Sequence, residues 1–215
     1  MDRRKALRNM GLAMGYTIAT PTLLGIVQSC KKEITLSWAP EFFTPDQGLA
    51  VSRLVDIILP KTDTPSASEM QVDVFIDRFA NQAMEPQQKD FMSMSMGKFF
   101  DKALNDAGKE KIGDLTPKEL EATLAEALKV TKEEKLGNME AIQSYNTAIL
   151  EGNEPTLDEG ISRYAFADNL RQMTIWGYKT SEYVGEEVLA YLPVPGEYIA
   201  CGDSQELTGG KAWSL

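Results

Sequence analysis

The chain has 215 residues, a 43% hydrophobic and 25% charged composition, and a net charge of −10. That length supports one domain with its own core. The absence of histidine excludes His-based triads, imidazole general bases and most transition-metal centres. Two cysteines, Cys30 and Cys201, are too few and too far apart for a Cys-x-x-Cys metal or redox pair. The acidic balance argues against nucleic acid as a partner, and against electrostatic docking on anionic lipid.

The chain opens with Arg3, Arg4, Lys5 and Arg8, followed by 17 charge-free residues from Gly11 to Val27 and then Val27-Gln28-Ser29-Cys30. A basic region, an apolar region and a small-residue site are the three parts of an export signal. The arginine pair with Leu7 and Arg8 resembles a twin-arginine signal, the pathway that carries folded proteins; Asp2 and Ala6 depart from that pattern. Val27 to Cys30 resembles a bacterial lipobox, whose cysteine becomes the lipidated first residue. A retained membrane helix and ordinary cleavage are the competing readings. The charge-free run would span only about 25 Å as a helix, and Gly15, Pro21 and Gly25 weaken it. The expected organisation is a signal over 1–29, a tether over 30–42 and a helical domain over 43–215. Removing 1–29 takes away four basic residues and one acid, leaving 18 basic and 31 acidic residues, a net of −13.

The mature chain reads as successive helices. Thr44-Pro45-Asp46-Gln47 forms a capping box with proline at the first helical position, and Val51, Leu54, Val55 and Ile58 follow at helical spacing up to Pro60. Lys61 to Pro65 reads as a turn. Ser68-Glu69-Met70-Gln71 predicts a second capping box, with Val72, Phe75, Ile76, Phe79 and Ala83 on one apolar face. Pro86 restarts the chain for a helix to about Ala107. Thr116-Pro117-Lys118-Glu119 is a third box before Leu120, Leu124 and Leu128. Lys129 to Lys135 reads as a solvated helix end or loop, and Met139 to Leu150 as another helix. Thr156-Leu157-Asp158-Glu159 predicts a fourth box opening a helix through Trp176 to Gly177. A shorter helix is expected over Ser181 to Tyr191, then an irregular Pro/Gly-rich extension. The expected fold is all-α: an irregular bundle of about six to seven helices with an aromatic C-terminal extension.

Few residues point to chemistry. Met92, Met94 and Met96 alternate and so do not share a helix face; they read as core filling. Asp73 with Asp77, and Glu186 with Glu187, read as solvated helix charge, since nothing supplies a nucleophile beside them. No Gly-rich phosphate loop has the required spacing; Gly209-Gly210-Lys211 falls short. The aromatic set Trp176, Tyr178, Tyr183, Tyr191, Tyr198 and Trp213 fits either interface anchors or an extension folded over its own bundle. The interface candidates are Trp176, Tyr178, Tyr191, Pro195 and Trp213.

Three stretches carry a resemblance: Phe43 to Gln47, Ile57 to Pro65 and Val72 to Arg78. With Gly177 to Glu182, Tyr191 to Gly196 and Lys211 to Trp213, they resemble the gluconate 2-dehydrogenase subunit 3 family over roughly residues 40–215. Residues 85–155 carry no matching motif. The resemblance implies a small, non-catalytic subunit. Its partner would be a large FAD-dependent (GMC-type) sugar or polyol dehydrogenase subunit, and a cytochrome c subunit is a further candidate partner. No cofactor, metal or catalytic residue is then expected on this chain, and FAD belongs to the partner. With Arg3, Arg4 and Cys30, the expectation is an accessory subunit that binds, co-exports and membrane-anchors the catalytic subunit at the periplasmic face. The alternative is a stand-alone helical envelope lipoprotein acting as a binding or scaffold module. A third reading, an enzyme in its own right, requires a pocket with converging polar groups.

Overall fold

Residues 36–192, 194, 196, 199 and 201–214 are described by a computed structural model. Arg3, Arg4, Cys30 and Pro195 lie outside the described residues. The helices are α1 (Pro45–Ile58), α2 (Val72–Gln82), α3 (Pro86–Ala107), α4 (Pro117–Leu128), α5 (Lys132–Leu150), α6 (Glu159–Lys179) and the short α7 (Ser204–Thr208). A 3-10 turn covers Ile112–Asp114 and a π-helical turn covers Val184–Val188. Strands are absent among the described residues, in keeping with an all-α bundle; one isolated parallel bridge joins Ala190 to Trp213.

Helix α6 is central. It touches α1 to α5, most extensively α3. Tyr164, Ala165, Phe166 and Ala167 are consecutive and all buried, so this helix is enclosed on several sides rather than along one stripe. Its buried hydroxyls bond to their own helix: Ser162 Oγ to the Asp158 carbonyl at 2.8 Å and Thr174 Oγ1 to that of Leu170 at 2.7 Å. Around it, the core collects Val51, Leu54 and Val55 from α1 and Val72 and Ile76 from α2. Helix α3 adds Met92, Met96, Phe99 and Phe100, and α4 adds Leu120 and Leu124. The rings of Phe99, Phe100 and Phe166 meet at 5.1 to 5.9 Å. Met92 and Met96 thus serve packing.

The helix starts show which local signals win. Thr44 and Gln47 cap α1 reciprocally, and Thr116 and Glu119 do the same for α4. Ser68 does not cap α2. Its N–H and hydroxyl are drawn instead to the Asp56 carboxylate at 2.8 and 2.7 Å, a tertiary partner in the last turn of α1. Glu69 turns to the Ser66 N–H and to Lys61. The chain then enters α2 through Gln71 at φ 57°, in the left-handed region. Thr156 is also displaced as a cap: α6 starts later, with Asp158 Oδ1 accepting the N–H groups of Gly160 and Ile161. The charged stretch 129–135 is itself a helix start. Thr131 and Glu134 form a capping box and α5 runs from Lys132, seven residues before the expected Met139. Over Ser181 to Tyr191 the structure has the π-helical turn in place of a longer α-helix, and the chain then leaves to pair at Ala190.

The folded unit begins before residue 43. Trp38 and Phe42 pack against the core, and Leu36 lies beside Gly48. Residues 36–42, expected as tether, belong to the bundle.

Candidate functional site

The acidic pair of α2 is the first candidate to resolve. Asp73 and Asp77 are 3% and 1% exposed, so the reading as solvated charge is wrong for both. Asp77 accepts three successive backbone N–H groups, from Glu41, Phe42 and Phe43, at 2.7, 3.0 and 2.9 Å. Asp73 Oδ2 accepts from the Trp38 indole at 3.2 Å. Four-residue spacing puts both carboxylates on one helix face. That face meets the 38–43 segment, whose orphan N–H groups precede α1. The pair is a latch. The signal in the sequence was the set of unpaired donors just upstream of the Thr44 cap, whose partner lies more than 30 residues away.

The aromatic candidates divide by environment. Trp176 is 46% exposed, and the other face of its indole stacks edge-on against Phe75 and Phe79, at 5.1 and 5.4 Å between ring centres. Tyr178 is partly buried. Its hydroxyl donates to the Pro65 carbonyl at 2.8 Å and lies 2.9 Å from Thr64 Oγ1, so it fastens the 61–65 turn to the end of α6. Tyr191 is half exposed and lines a shallow depression with Lys179 and Thr180. Trp213 is half exposed, and its segment is held to Ala190 by the Ala190 N–H to Ala212 and Ser214 N–H to Ala190 bonds, both 2.9 Å. Trp176, Tyr191 and Trp213 thus lie at or beside the C-terminal end of α6. Leu192 and Val194, also exposed, adjoin them in sequence.

A second feature was not visible in the sequence. Helix α5 contributes no buried residue, and Leu136, Met139 and Leu150 are more than half exposed. Between α5 and the body lies a groove of about 1120 Å³. Phe79, Phe91 and Met94 line one side and Met139, Ile142 and Ile149 the other. The Phe91 and Tyr145 rings meet across it at 5.6 Å. Tyr164, Asp168 and Gln172, four apart on α6, line it too. Tyr164 is 3% exposed and its hydroxyl has no hydrogen-bond partner in the protein. Burial, and then Asp168, raises its pKa. Periodicity placed these residues on helices but could not show that α5 stands off.

Among the described residues, no three His, Cys, Asp or Glu side chains are placed to hold a metal ion, and no helix is long and apolar enough to cross a membrane. What is assembled is a set of surfaces: a helical body around one central helix, with an aromatic end and an apolar groove. The family model for gluconate 2-dehydrogenase subunit 3 matches residues 45–196, well over half of the chain. The chain belongs to that family, which associates it with a dehydrogenase complex. No curated protein and no solved structure matches it.

Proposed function

We propose that this chain is a non-catalytic accessory subunit that binds the FAD-dependent catalytic subunit of a sugar or polyol dehydrogenase. It takes that subunit across the membrane behind the Arg3-Arg4 signal and holds it at the periplasmic face through lipidated Cys30. Family membership supports the association with a dehydrogenase. The observation that carries the binding role is the exposed aromatic end of α6, where Trp176, Tyr191 and Trp213 each keep about half of their surface in solvent. Large aromatics held on fixed backbone with one face free are well suited to anchor a partner. A route for folded cargo suits a partner that carries a tightly bound flavin. No FAD ligand is assigned to this chain; the flavin and the oxidation chemistry belong to the partner.

The test is co-expression of the chain, with residues 2–29 deleted, and the flavoprotein subunit of its complex. The two should co-purify and accumulate in the cytoplasm. A flavoprotein that fails to bind, or that is still exported, would overturn the reading. With the full chain, replacing Arg3 and Arg4 by Lys should strand both proteins inside.

A further inference from the structure

The groove between α5 and α6 has no place in the subunit reading, and its chemistry is specific enough to name an occupant. From the groove's shape, its orphaned hydroxyl and its charge, we infer that it binds an uncharged amphiphile: one elongated apolar chain whose head offers a hydrogen-bond acceptor to Tyr164.

Size comes first. At about 1120 Å³ the groove is somewhat larger than most small-molecule sites, large enough for a chain of ten or more carbons. Most of its wall is apolar, with Phe79, Phe91 and Met94 facing Met139, Ile142 and Ile149, and polar side chains interrupt it. Methionines among aromatics make a wall that adapts to a flexible chain.

The head group follows from Tyr164. A buried hydroxyl without a partner costs free energy unless something completes it. The Tyr164 phenol carries one O–H donor besides its acceptor lone pairs, and that donor is unmatched in the protein. The missing partner is therefore an acceptor such as an alcohol, ester or carbonyl oxygen. Its oxygen is shielded from solvent, so a neighbouring side chain of the groove must move aside to admit the head.

Charge decides against an anion. Glu85, Asp90 and Asp168 line the groove against a single cation, Lys135. Asp168 is paired with Arg171, yet the surroundings remain net acidic on a chain that is acidic overall. A carboxylate head would meet like charge.

The test is titration calorimetry of the purified full chain with 1-decanol and with decanoate, below their aggregation limits. Decanol should bind with one-to-one stoichiometry, and decanoate about tenfold more weakly or not at all. Tyr164→Phe should weaken decanol binding about fivefold while leaving the unliganded melting temperature equal or higher, since it deletes an unpaired hydroxyl. Ile142→Glu, on a helix with no core residue, should abolish binding with the far-ultraviolet dichroism unchanged. The inference is overturned if decanol does not bind, if decanoate binds as tightly, or if Tyr164→Phe binds decanol like the parent. A fall of several degrees in the melting temperature of Tyr164→Phe would also overturn it, by showing that the hydroxyl is structural. None of these outcomes depends on the dehydrogenase partner.

Discussion

The carboxylate of Asp77 accepts the backbone N–H of Phe43 at 2.9 Å, across 34 positions of sequence. The same side chain also receives the N–H groups of Glu41 and Phe42. A buried carboxylate with three backbone donors is the strong, charge-assisted kind of hydrogen bonding. Asp77→Ala should leave those donors unpaired and cost about 3 kcal/mol. For a domain of this size that is a fall of roughly 10 °C in melting temperature. Asp77→Asn, which keeps one acceptor oxygen, should lose less. Thermal unfolding followed by circular dichroism measures both, and an Asp77→Ala protein as stable as the parent would refute the latch.

Gly177 sets how closely α6 approaches α2. A Cβ there would lie 2.7 Å from Phe75 Cδ1 and 3.3 Å from Val72 Cγ1. Phe75 is backed by Trp176 and Phe79 and has little room to yield. Gly177→Val should therefore cost about 2 kcal/mol by overpacking. Denaturant unfolding should show a lower midpoint with an unchanged slope.

Glu119 supplies a pH dependence. Its pKa falls from 4.5 to about 2, chiefly through Lys109, which lies 2.6 Å away, and then through the Thr116 backbone and hydroxyl groups. A carboxyl lowered on folding stabilises the native state above its unfolded pKa. That contribution is lost as pH falls through the folded value. Stability should thus decline between pH 4.5 and about 2. In Glu119→Gln that part of the decline should be missing, and the parent and variant curves should converge at the acid end. Urea midpoints measured across this range are the check; parallel curves would contradict the assignment.

The aromatic end of α6 makes a separate prediction about binding. Trp213 is half exposed and is no member of the buried core, so Trp213→Ala should leave the melting temperature within about 2 °C. If Trp213 is an anchor, affinity for the flavoprotein subunit should fall about tenfold or more. Tyr178→Phe is the contrasting variant. It should loosen the 61–65 turn by about 1 kcal/mol, seen as faster limited proteolysis there.

Much of the bundle was legible because its signals are local. The capping boxes at Thr44 and Thr116 lie within four residues, and hydrophobic spacing marked α1, α3 and α4. Errors arose where a distant partner prevailed over a local one. Ser68 looked like a cap until Asp56 took its hydroxyl, and Asp77 looked solvated because its three donors precede α1. Thr131 was the reverse case, a good local box hidden inside a run of charge. The aromatic end could be listed from sequence, but not the division of labour in which Tyr178 serves a turn while Trp213 stays open. The groove was illegible because it depends on how far α5 stands from its neighbours, and periodicity carries no distance.

That stand-off also governs how this protein can vary. Nineteen residues of α5 place nothing in the core, so packing constrains them less than it does the helices around α6. Substitutions along Lys132–Leu150 can alter one wall of the groove while Phe99, Phe166 and Leu170 hold the body unchanged. Here the bundle can change the chemistry it presents without risking its fold.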